Sequence, residues 1–246
     1  MSRLELRELV IGRGAFRRGP LDLTAAAGAR IALLGPNGGG KTTLLKTAAG
    51  LLRPVTGAVR VDGQDPASAS APTRASLVAY LPPPGEVESA LSGRHVAAMG
   101  RIAHRPWPAD LTQDDHRAAE AALDRFGVAG LAARPFDQLS SGERQLVLLA
   151  RTLLQAAGLC ILDEPSATLD PAHRRAVAGA VRQLADDGAV VLFSTHDPAE
   201  AAGSDLCILL GERPVSGAPA EMLTADRLSA LYGVDLGACP ACGRAH

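Results

Sequence analysis

The stretch Gly35-Pro36-Asn37-Gly38-Gly39-Gly40-Lys41-Thr42-Thr43 decides the fold. It follows the apolar run 31–34 and precedes a helical pattern from residue 44, which is the setting of a phosphate-binding loop. Glycines let the backbone wrap closely around an anion, and the following helix adds the positive end of its dipole. We therefore expect Lys41 to reach the β- and γ-phosphates of a nucleotide and Thr42 to ligate Mg²⁺. The alternative is a glycine-rich turn with a chance lysine, which this flanking pattern disfavours.

The bulk composition excludes several classes of protein. The chain has 246 residues and a net charge of −1, with no basic tract, so nucleic acid is not expected as its main ligand. No stretch approaches the roughly 18 apolar residues of a spanning helix, and residues 1–5 do not begin an apolar signal segment. We expect a soluble, cytoplasmic protein that forms one large α/β domain or a core with a small insert.

Hydrophobic periodicity outlines an α/β core that begins with antiparallel strands. Residues 4–7 and 21–23 alternate as half-buried strands do, and residues 31–34 form a continuously apolar run that is typical of a central parallel strand. Residues 57–63 predict a strand with an Asp-Gly turn, and residues 66–72 predict a loop. A further strand at 77–81 ends at Pro82-Pro83-Pro84.

Helical signals dominate after these prolines. Thr112-Gln113-Asp114-Asp115 matches a capping box, and Ala119, Ala122 and Leu123 fall on one face of the helix that it would begin. We therefore predict a single unit, 1–246, in which residues 85–138 form a helical subdomain inserted into an α/β core. That core comprises residues 1–84 and 139–235, and residues 236–246 are expected to form a mobile tail.

Two further segments carry candidate chemistry. Ser140, Ser141, Gly142 and Glu143 open a helix, and a capping box is the structural interpretation of this segment taken alone. The apolar strand 159–162 ends in Asp163 and Glu164, where paired carboxylates are costly unless a cation or a reacting proton compensates them. Mg²⁺ and a hydrolytic water would supply both.

The next helix and strand add two more candidates. Asp170 is predicted to cap a helix that starts with Pro171 and runs through Leu184. The apolar strand 189–193 leads into Ser194-Thr195-His196-Asp197. A single histidine at a strand end is more often structural than catalytic, so the residues alone leave the role of His196 open. Residues 206–210 and 213–215 predict a final hairpin, followed by short helices as far as Tyr232.

The four cysteines are of two kinds. Cys160 and Cys207 lie in apolar runs and are expected to be buried and reduced. Cys239, Cys242 and His246 have a spacing that would suit Zn²⁺ or iron, but a fourth ligand is missing nearby. A frayed tail with two idle thiols is the favoured interpretation, and a metal site is the alternative.

Taken in this order, the motifs resemble those of the ATP-binding subunits of ABC transporters over nearly the whole chain. The resemblance implies an ATPase in which Asp163 holds Mg²⁺ through water, Glu164 is the general base and His196 contacts the γ-phosphate. It also implies that residues 35–43 bind ATP, that Ser140–Glu143 bind the partner's nucleotide, and that Asp170 communicates across a dimer.

The same resemblance implies partners. Residues 140–143 correspond to the signature turn of that family. Because the chain carries one phosphate loop and one signature turn, it has to pair with a second ATP-binding subunit, expected as a homodimer. Integral membrane permease subunits would place it on the inner face of the cell membrane. Residues 96–101, 141–148 and 231–234 are similar to those of importers for metal chelates, which also implies an extracytoplasmic substrate-binding protein. An exporter subunit and a soluble ATPase of iron–sulfur cluster assembly are the alternatives.

Three positions depart from the family pattern. Ser141 stands where a glycine is usual, and Gly12 stands where an aromatic residue usually stacks on adenine; Phe16 or Arg13 would substitute by stacking. Pro83 replaces a glutamine that touches Mg²⁺ and senses the permease. The hypotheses are that Glu86 or Glu88 takes over part of this role, or that hydrolysis is loosely coupled to transport.

Overall fold

The fold is built around the phosphate loop (residues 35–43), which joins a middle strand of a sheet to a helix. The computed structural model describes residues 2–85, 89–105, 108–167 and 169–235. Strand β3 (Arg30–Leu34) runs into the loop and helix α1 (Lys41–Ala48) leaves it. The predicted order of strand, loop and helix is confirmed.

The other elements follow in chain order. The strands are β1 (Ser2–Arg13), β2 (Phe16–Ala26), β4 (Thr56–Val61), β5 (Val78–Leu81), β6 (Leu159–Leu162), β7 (Val190–Ser194), β8 (Leu206–Leu209) and β9 (Val215–Gly217). The helices are α2 (Ala71–Leu77), α3 (Gly93–Ala98), α4 (Gln113–Arg125), α5 (Ser141–Gln155), α6 (Pro171–Asp186), α7 (Pro198–Ala202), α8 (Pro219–Met222) and α9 (Ala225–Tyr232). Short 3₁₀ segments lie at Met99–His104, Ala129–Leu131 and Phe136–Gln138.

Two sheets organise these elements. An antiparallel sheet has the order β2-β1-β4, and a larger sheet has the order β5-β6-β7-β3-β8-β9. All neighbours in the larger sheet are parallel except β8 and β9, which form the predicted hairpin. The predicted fold class, an α/β core with an antiparallel N-terminal part, is confirmed. The carboxyl ends of β3, β6 and β7 therefore lie side by side, where polar residues that are distant in sequence can meet.

Strand β3 is buried on both faces, as its unbroken apolar run predicts. Ile31 and Leu33 pack towards the antiparallel sheet and α1, while Ala32 and Leu34 pack towards α5, α6 and the helical segment (residues 93–138). Each of these four side chains is completely buried. The two hydrophobic layers fix the strand rigidly, and with it the start of the phosphate loop.

A buried ion pair closes the helical segment. Asp115 completes the predicted capping box of α4 with Thr112, and its carboxylate accepts two hydrogen bonds of 2.7 Å from the Arg105 guanidinium. Only 2% of the Asp115 side chain is exposed. These bonds, above all those from Arg105, hold the pKa of Asp115 far below its usual range. Arg101 adds a contact of 3.6 Å.

The structure corrects the prediction for residues 66–77. A loop was expected at 66–72 and a strand from residue 77, but α2 occupies Ala71–Leu77 and β5 begins at Val78. Ser70 caps the helix by accepting the N–H of Thr73, and the side chain of Gln155 donates to the carbonyls of residues 75 and 78 at its end. That second cap comes from α5, so no local pattern reveals it. The strands predicted at 4–7 and 21–23 lie within the much longer β1 and β2, because both strands continue beyond their alternating apolar residues. Helix α6 extends two residues further than predicted, to Asp186, and the strand predicted at 189–193 is β7.

Other expectations have simple outcomes. Cys160 and Cys207 are free and buried, as predicted, and burial raises the pKa of the Cys160 thiol to about 12. The tail cysteines and His246 lie outside the described residues, as do Glu86 and Glu88. Across the described ranges, no helix combines the length and the apolar character needed to span a membrane.

Candidate functional site

The phosphate loop has the backbone of an anion cradle. Gly38 and Gly40 have φ angles of 73° and 101°, in the left-handed region that glycine tolerates best. A Cβ atom on Gly39 would lie 2.9 Å from the carbonyl oxygen of Pro36, so the loop closes too tightly for a side chain there. The N–H groups of the first turn of α1 have no acceptor within the helix. They are thus suited to bind an anion at the mouth of the loop.

Lys41 lies inside this cradle. Its side chain is 6% exposed, and its ammonium donates to the carbonyl oxygens of Gly35 and Pro36 at 3.0 and 3.4 Å. The same nitrogen is 3.7 Å from Oε1 of Glu164. Burial lowers the pKa of Lys41, whereas the carboxylates of Glu164 and Asp163 oppose this shift. The loop thus holds a buried cation that faces an acidic pair.

Asp163 is the buried member of that pair. It follows β6, with 1% of its surface exposed. Its Oδ1 accepts a hydrogen bond of 2.8 Å from the hydroxyl of Ser194, and its Oδ2 accepts one of 3.3 Å from Tyr80. Both carboxylate oxygens are therefore oriented by neutral hydroxyl donors. A carboxylate held in this way keeps acceptor capacity for a cation or for its bound water.

Glu164 is the more exposed member and has an unusual backbone. Its φ angle is 51°, which only a small fraction of non-glycine residues adopt. Its N–H donates to the hydroxyl of Ser194 at 2.8 Å, and its Oε1 lies 2.7 Å from Nε2 of His196. The carboxylate is thus fixed between His196 and Lys41 and is open to solvent on its remaining side. This is a suitable arrangement for a general base acting on water.

A third carboxylate, that of Glu200, connects the segments on either side of this cleft. Glu200, in α7, accepts a hydrogen bond of 2.6 Å from Thr195 and one of 2.9 Å from Ser166, both at its Oε2. Thr195 directly precedes His196, and Ser166 lies two residues after Glu164. The chain segments that carry Glu164 and His196 are therefore both held by the same oxygen of Glu200.

The signature turn (residues 140–143) lies elsewhere, at the start of α5. Ser140 accepts the N–H of Glu143, and Glu143 accepts the N–H of Ser140 and a 2.5 Å bond from Arg134. The hydrogen bond from the Ser140 N–H is the main reason why the pKa of Glu143 is lowered. The structural interpretation as a capping box is confirmed. The Ser140 side chain also contributes to the lowered pKa of Glu143, so its hydroxyl is within reach of that carboxylate.

The signature turn is not part of the Lys41 cleft within one chain. Among the described residues, no hydrogen bond joins residues 140–143 to the phosphate loop. A Cβ atom on Gly142 would lie 2.8 Å from the Leu169 side chain, which places the turn beside the segment before α6. Asp170 caps α6 by accepting the N–H groups of Ala172 and His173, and the bond from His173 chiefly lowers its pKa.

The remaining predicted site residues lie on the phosphate loop and at the starts of α1 and α5. Asn37 is exposed at the tip of the phosphate loop, and Thr42 and Thr43 lie half-buried in the first turn of α1. Ser141 is exposed at the first position of α5. The sequence analysis missed Ser194, Tyr80, Ser166 and Glu200. Of these, Ser194 had a signal, because it is a polar residue at the end of an apolar strand.

The structure also bears on two departures from the family pattern. A Cβ atom on Gly12 would lie 2.4 Å from the carbonyl oxygen of Phe16, so no larger residue fits at this bend of the β1–β2 hairpin. The Phe16 ring instead lies against the phosphate loop, where a Cβ atom on Gly40 would be 2.7 Å away. The Arg18 guanidinium lies 4.7 Å from the ring centroid. Pro83 lies half-buried just beyond β5.

Comparisons with known proteins agree with this geometry. A family model described as "ABC transporter" matches residues 19–167, more than half of the chain. The hemin import ATP-binding protein HmuV of Pseudomonas entomophila is 38% identical over 252 residues, which cover 99% of this chain and 97% of that protein. The cobalamin import ATP-binding protein BtuD of Halobacterium salinarum is 38% identical over 219 residues, which cover 87% of this chain and 54% of that protein.

A solved structure gives the same result in three dimensions. It is described as an inward-facing conformation of a metal-chelate type ABC transporter and superposes with a TM-score of 0.81 at 30% identity. The superposition covers 94% of this chain and 89% of that chain.

Proposed function

Because the chain belongs to the ABC transporter family and is an ATPase of that family, we propose that it is the ATP-hydrolysing subunit of an importer for a metal chelate. The observation that carries this proposal is the cleft itself. It combines a glycine loop with a buried lysine and, within 3.7 Å of that lysine, a carboxylate held by histidine. Import of a chelate is supported by the relatives, whose names specify hemin or cobalamin, and by the metal-chelate type structure.

The cleft fits the polyphosphate of ATP. The loop closes tightly at Gly39, and the first N–H groups of α1 have no acceptor within the helix. Lys41 supplies a cation that the loop carbonyls already orient. We assign residues 35–43 to the phosphates. Phe16 is the better placed of the two stacking candidates for adenine, because its ring lies beside the loop. Adenine would share that ring with the Arg18 guanidinium.

Oxygen donors beside the loop fit Mg²⁺. Asp163 has a buried carboxylate with no cationic partner of its own in direct contact among the described residues, and Thr42 is the second residue of α1. These are ligand types that Mg²⁺ prefers. When bound, Mg²⁺ would neutralise charge that develops on the transferring phosphoryl group. Proline at position 83 contributes no side-chain ligand, so Asp163 and Thr42 are the assigned protein ligands.

The remaining residues account for hydrolysis. Glu164 accepts a proton from the attacking water, and His196 holds the Glu164 carboxylate in place and lies at the open side of the cleft, where a γ-phosphate would end. Lys41 stabilises the charge on the phosphoryl oxygens. The signature turn is outside this cleft, so Ser140 and Gly142 are assigned to the nucleotide of a second copy. Asp170 is assigned to the contact between the two copies.

These assignments define the assembly. Two copies of the chain would enclose two nucleotides and act on membrane permease subunits, which would hold the ATPase at the cytoplasmic face of the membrane. An extracytoplasmic binding protein would deliver the chelate. ATP would favour the closed dimer, and hydrolysis would release it.

The test is to purify the tagged chain from membranes with its permease and to reconstitute the complex in liposomes. We expect Mg²⁺-dependent ATP hydrolysis that one of hemin, cobalamin or a ferric siderophore stimulates in the presence of its binding protein. The matched control is the complex with Glu164→Gln, which should assemble but not transport. Recovery of the chain with soluble assembly proteins instead of a polytopic membrane protein would contradict the importer assignment.

A further inference from the structure

The cleft contains a buried hydroxyl to which the motifs assign no role. Ser194 is the last residue of β7, and its surface is completely buried. It contacts both members of the acidic pair, because β6 and β7 are parallel neighbours and end at the same edge of the sheet. We propose that Ser194 is the positioning residue of the hydrolytic site, setting the metal-binding carboxylate and the general base with one hydroxyl. This inference rests on the proposed function of Asp163 and Glu164.

The direction of each hydrogen bond is fixed by chemistry. The backbone N–H of Glu164 can only donate, so Ser194 Oγ accepts that bond at 2.8 Å. The hydroxyl proton of Ser194 is then available for Oδ1 of Asp163, which lies 2.8 Å away and accepts it as a carboxylate. One side chain therefore uses both its acceptor and its donor on two adjacent residues.

The two bonds have different consequences. The bond to Asp163 fixes the carboxylate plane, because the other oxygen of that group accepts from Tyr80. The bond from the Glu164 N–H holds a residue whose φ angle of 51° is disfavoured for any side chain with a Cβ. Without that anchor, the backbone at Glu164 would relax towards negative φ, and its carboxylate would move away from His196.

Ordinary packing does not account for serine at this position. The neighbouring strand positions 190–193 are all apolar and buried, so alanine or valine would suit β7 equally well as part of a sheet. An apolar residue there would leave a buried N–H without this acceptor and a carboxylate oxygen without this donor. The hydroxyl is thus explained by the acidic pair that it contacts.

The test compares Ser194→Ala with Ser194→Thr and with Ser204→Ala. Ser204 is a matched control, because it is also buried and its hydroxyl donates to backbone carbonyls away from the cleft. For each variant, ATP affinity is measured by calorimetry in EDTA and in Mg²⁺, phosphate release is measured at saturating Mg²⁺-ATP, and folding is checked by thermal melting.

We expect Ser194→Ala to bind ATP in EDTA within about twofold of wild type, because the phosphate loop is intact. The gain in affinity that Mg²⁺ confers, and the rate of phosphate release, should each fall about 10- to 100-fold, as is typical when a residue that orients a metal ligand is lost. Ser194→Thr keeps the hydroxyl and should recover most of both quantities. Ser204→Ala should change neither.

Two outcomes would overturn the inference. One is a Ser194→Ala protein with wild-type Mg²⁺ dependence and rate; the other is equal loss in EDTA and in Mg²⁺, shared by Ser194→Thr, which would indicate a merely structural role. If Ser194→Ala does not fold, Ser194→Cys is compared with Ser194→Thr. The cysteine thiol is a weaker donor than the threonine hydroxyl, so Mg²⁺ should raise ATP affinity less in Ser194→Cys, and an equal gain in the two variants would overturn the inference. A wild-type protein that does not hydrolyse ATP would instead refute the proposed function.

Discussion

Replacing Glu164 by glutamine tests the assignment of the general base. Glutamine has almost the same shape and keeps an oxygen for the 2.7 Å contact with His196, so the cleft geometry should survive. It cannot accept a proton from water. A positioned general base contributes about 10²- to 10⁴-fold, so phosphate release should fall by that factor, or about 3 to 5 kcal/mol of barrier.

The same change should strengthen ATP binding. Glu164 lies 3.7 Å from the Lys41 ammonium. The attraction at that distance is about 1 kcal/mol in a water-like medium and about 4 kcal/mol at an effective dielectric constant of 20. Because Glu164 is 29% exposed, the lower part of this range applies. Loss of the charge frees Lys41 for the phosphates and removes a negative group beside them, so Kd for ATP should fall about 3- to 10-fold.

The assay is phosphate release at saturating Mg²⁺-ATP, together with size-exclusion chromatography with and without ATP. We expect Glu164→Gln to run as a stable dimer only with ATP. The control is Glu120→Gln, which removes the same charge from a surface pair with Arg94 and should behave as wild type. A Glu164→Gln protein that stays monomeric and retains more than about a tenth of the wild-type rate would refute the role of Glu164.

Three further predictions address other parts of the chain. Gly142→Ala should fold normally, because its Cβ meets only the flexible end of Leu169 in its own chain, yet lose ATP-induced dimerisation in chromatography; an intact dimer would contradict the assignment. Arg105→Met leaves the Asp115 carboxylate buried with only partial compensation, which should cost about 2 to 3 kcal/mol and lower Tm by roughly 4 to 12 °C in calorimetry. The pKa of Asp115 is lower in the folded protein than in the unfolded chain, so its ion pair stabilises the fold only at pH values above the unfolded-state pKa. The difference in Tm between wild type and Arg105→Met should therefore be full above about pH 5 and shrink below about pH 4; a Tm difference that does not depend on pH would refute this role. Phe16→Ala should weaken ATP binding about 5-fold and inorganic triphosphate binding little, as measured by calorimetry, and equal losses would exclude stacking.

The sequence predicted the core of this fold because its signals are local. The glycine loop, the apolar run before it and the caps at Thr112, Ser140 and Asp170 depend on neighbouring residues, and the structure contains each of them. Helix α2 was missed although Ser70 is a regular cap, because the small residues around it are equally typical of a loop. The side chain that caps the end of this helix belongs to Gln155, which lies 80 positions after Ala75 in the sequence.

The candidate site was predictable only in part. Lys41, Asp163, Glu164 and His196 each follow an apolar strand or a glycine loop, and the structure brings them together. The strand order β6-β7-β3 is not written in any local pattern, and it is this order that places Ser194 beside Asp163. The hydrogen bonds between residues at the ends of neighbouring strands therefore could not be predicted from the sequence.

One atom, Oε2 of Glu200, accepts hydrogen bonds from both Ser166 and Thr195 and so couples the segment after Glu164 to the segment before His196. A neighbouring subunit that displaced Ser166 would pull on Glu200 and, through the same oxygen, on Thr195. Contact with a partner subunit would thus change the backbone position next to His196. A protein engineer who wished to separate assembly from turnover would begin at position 200.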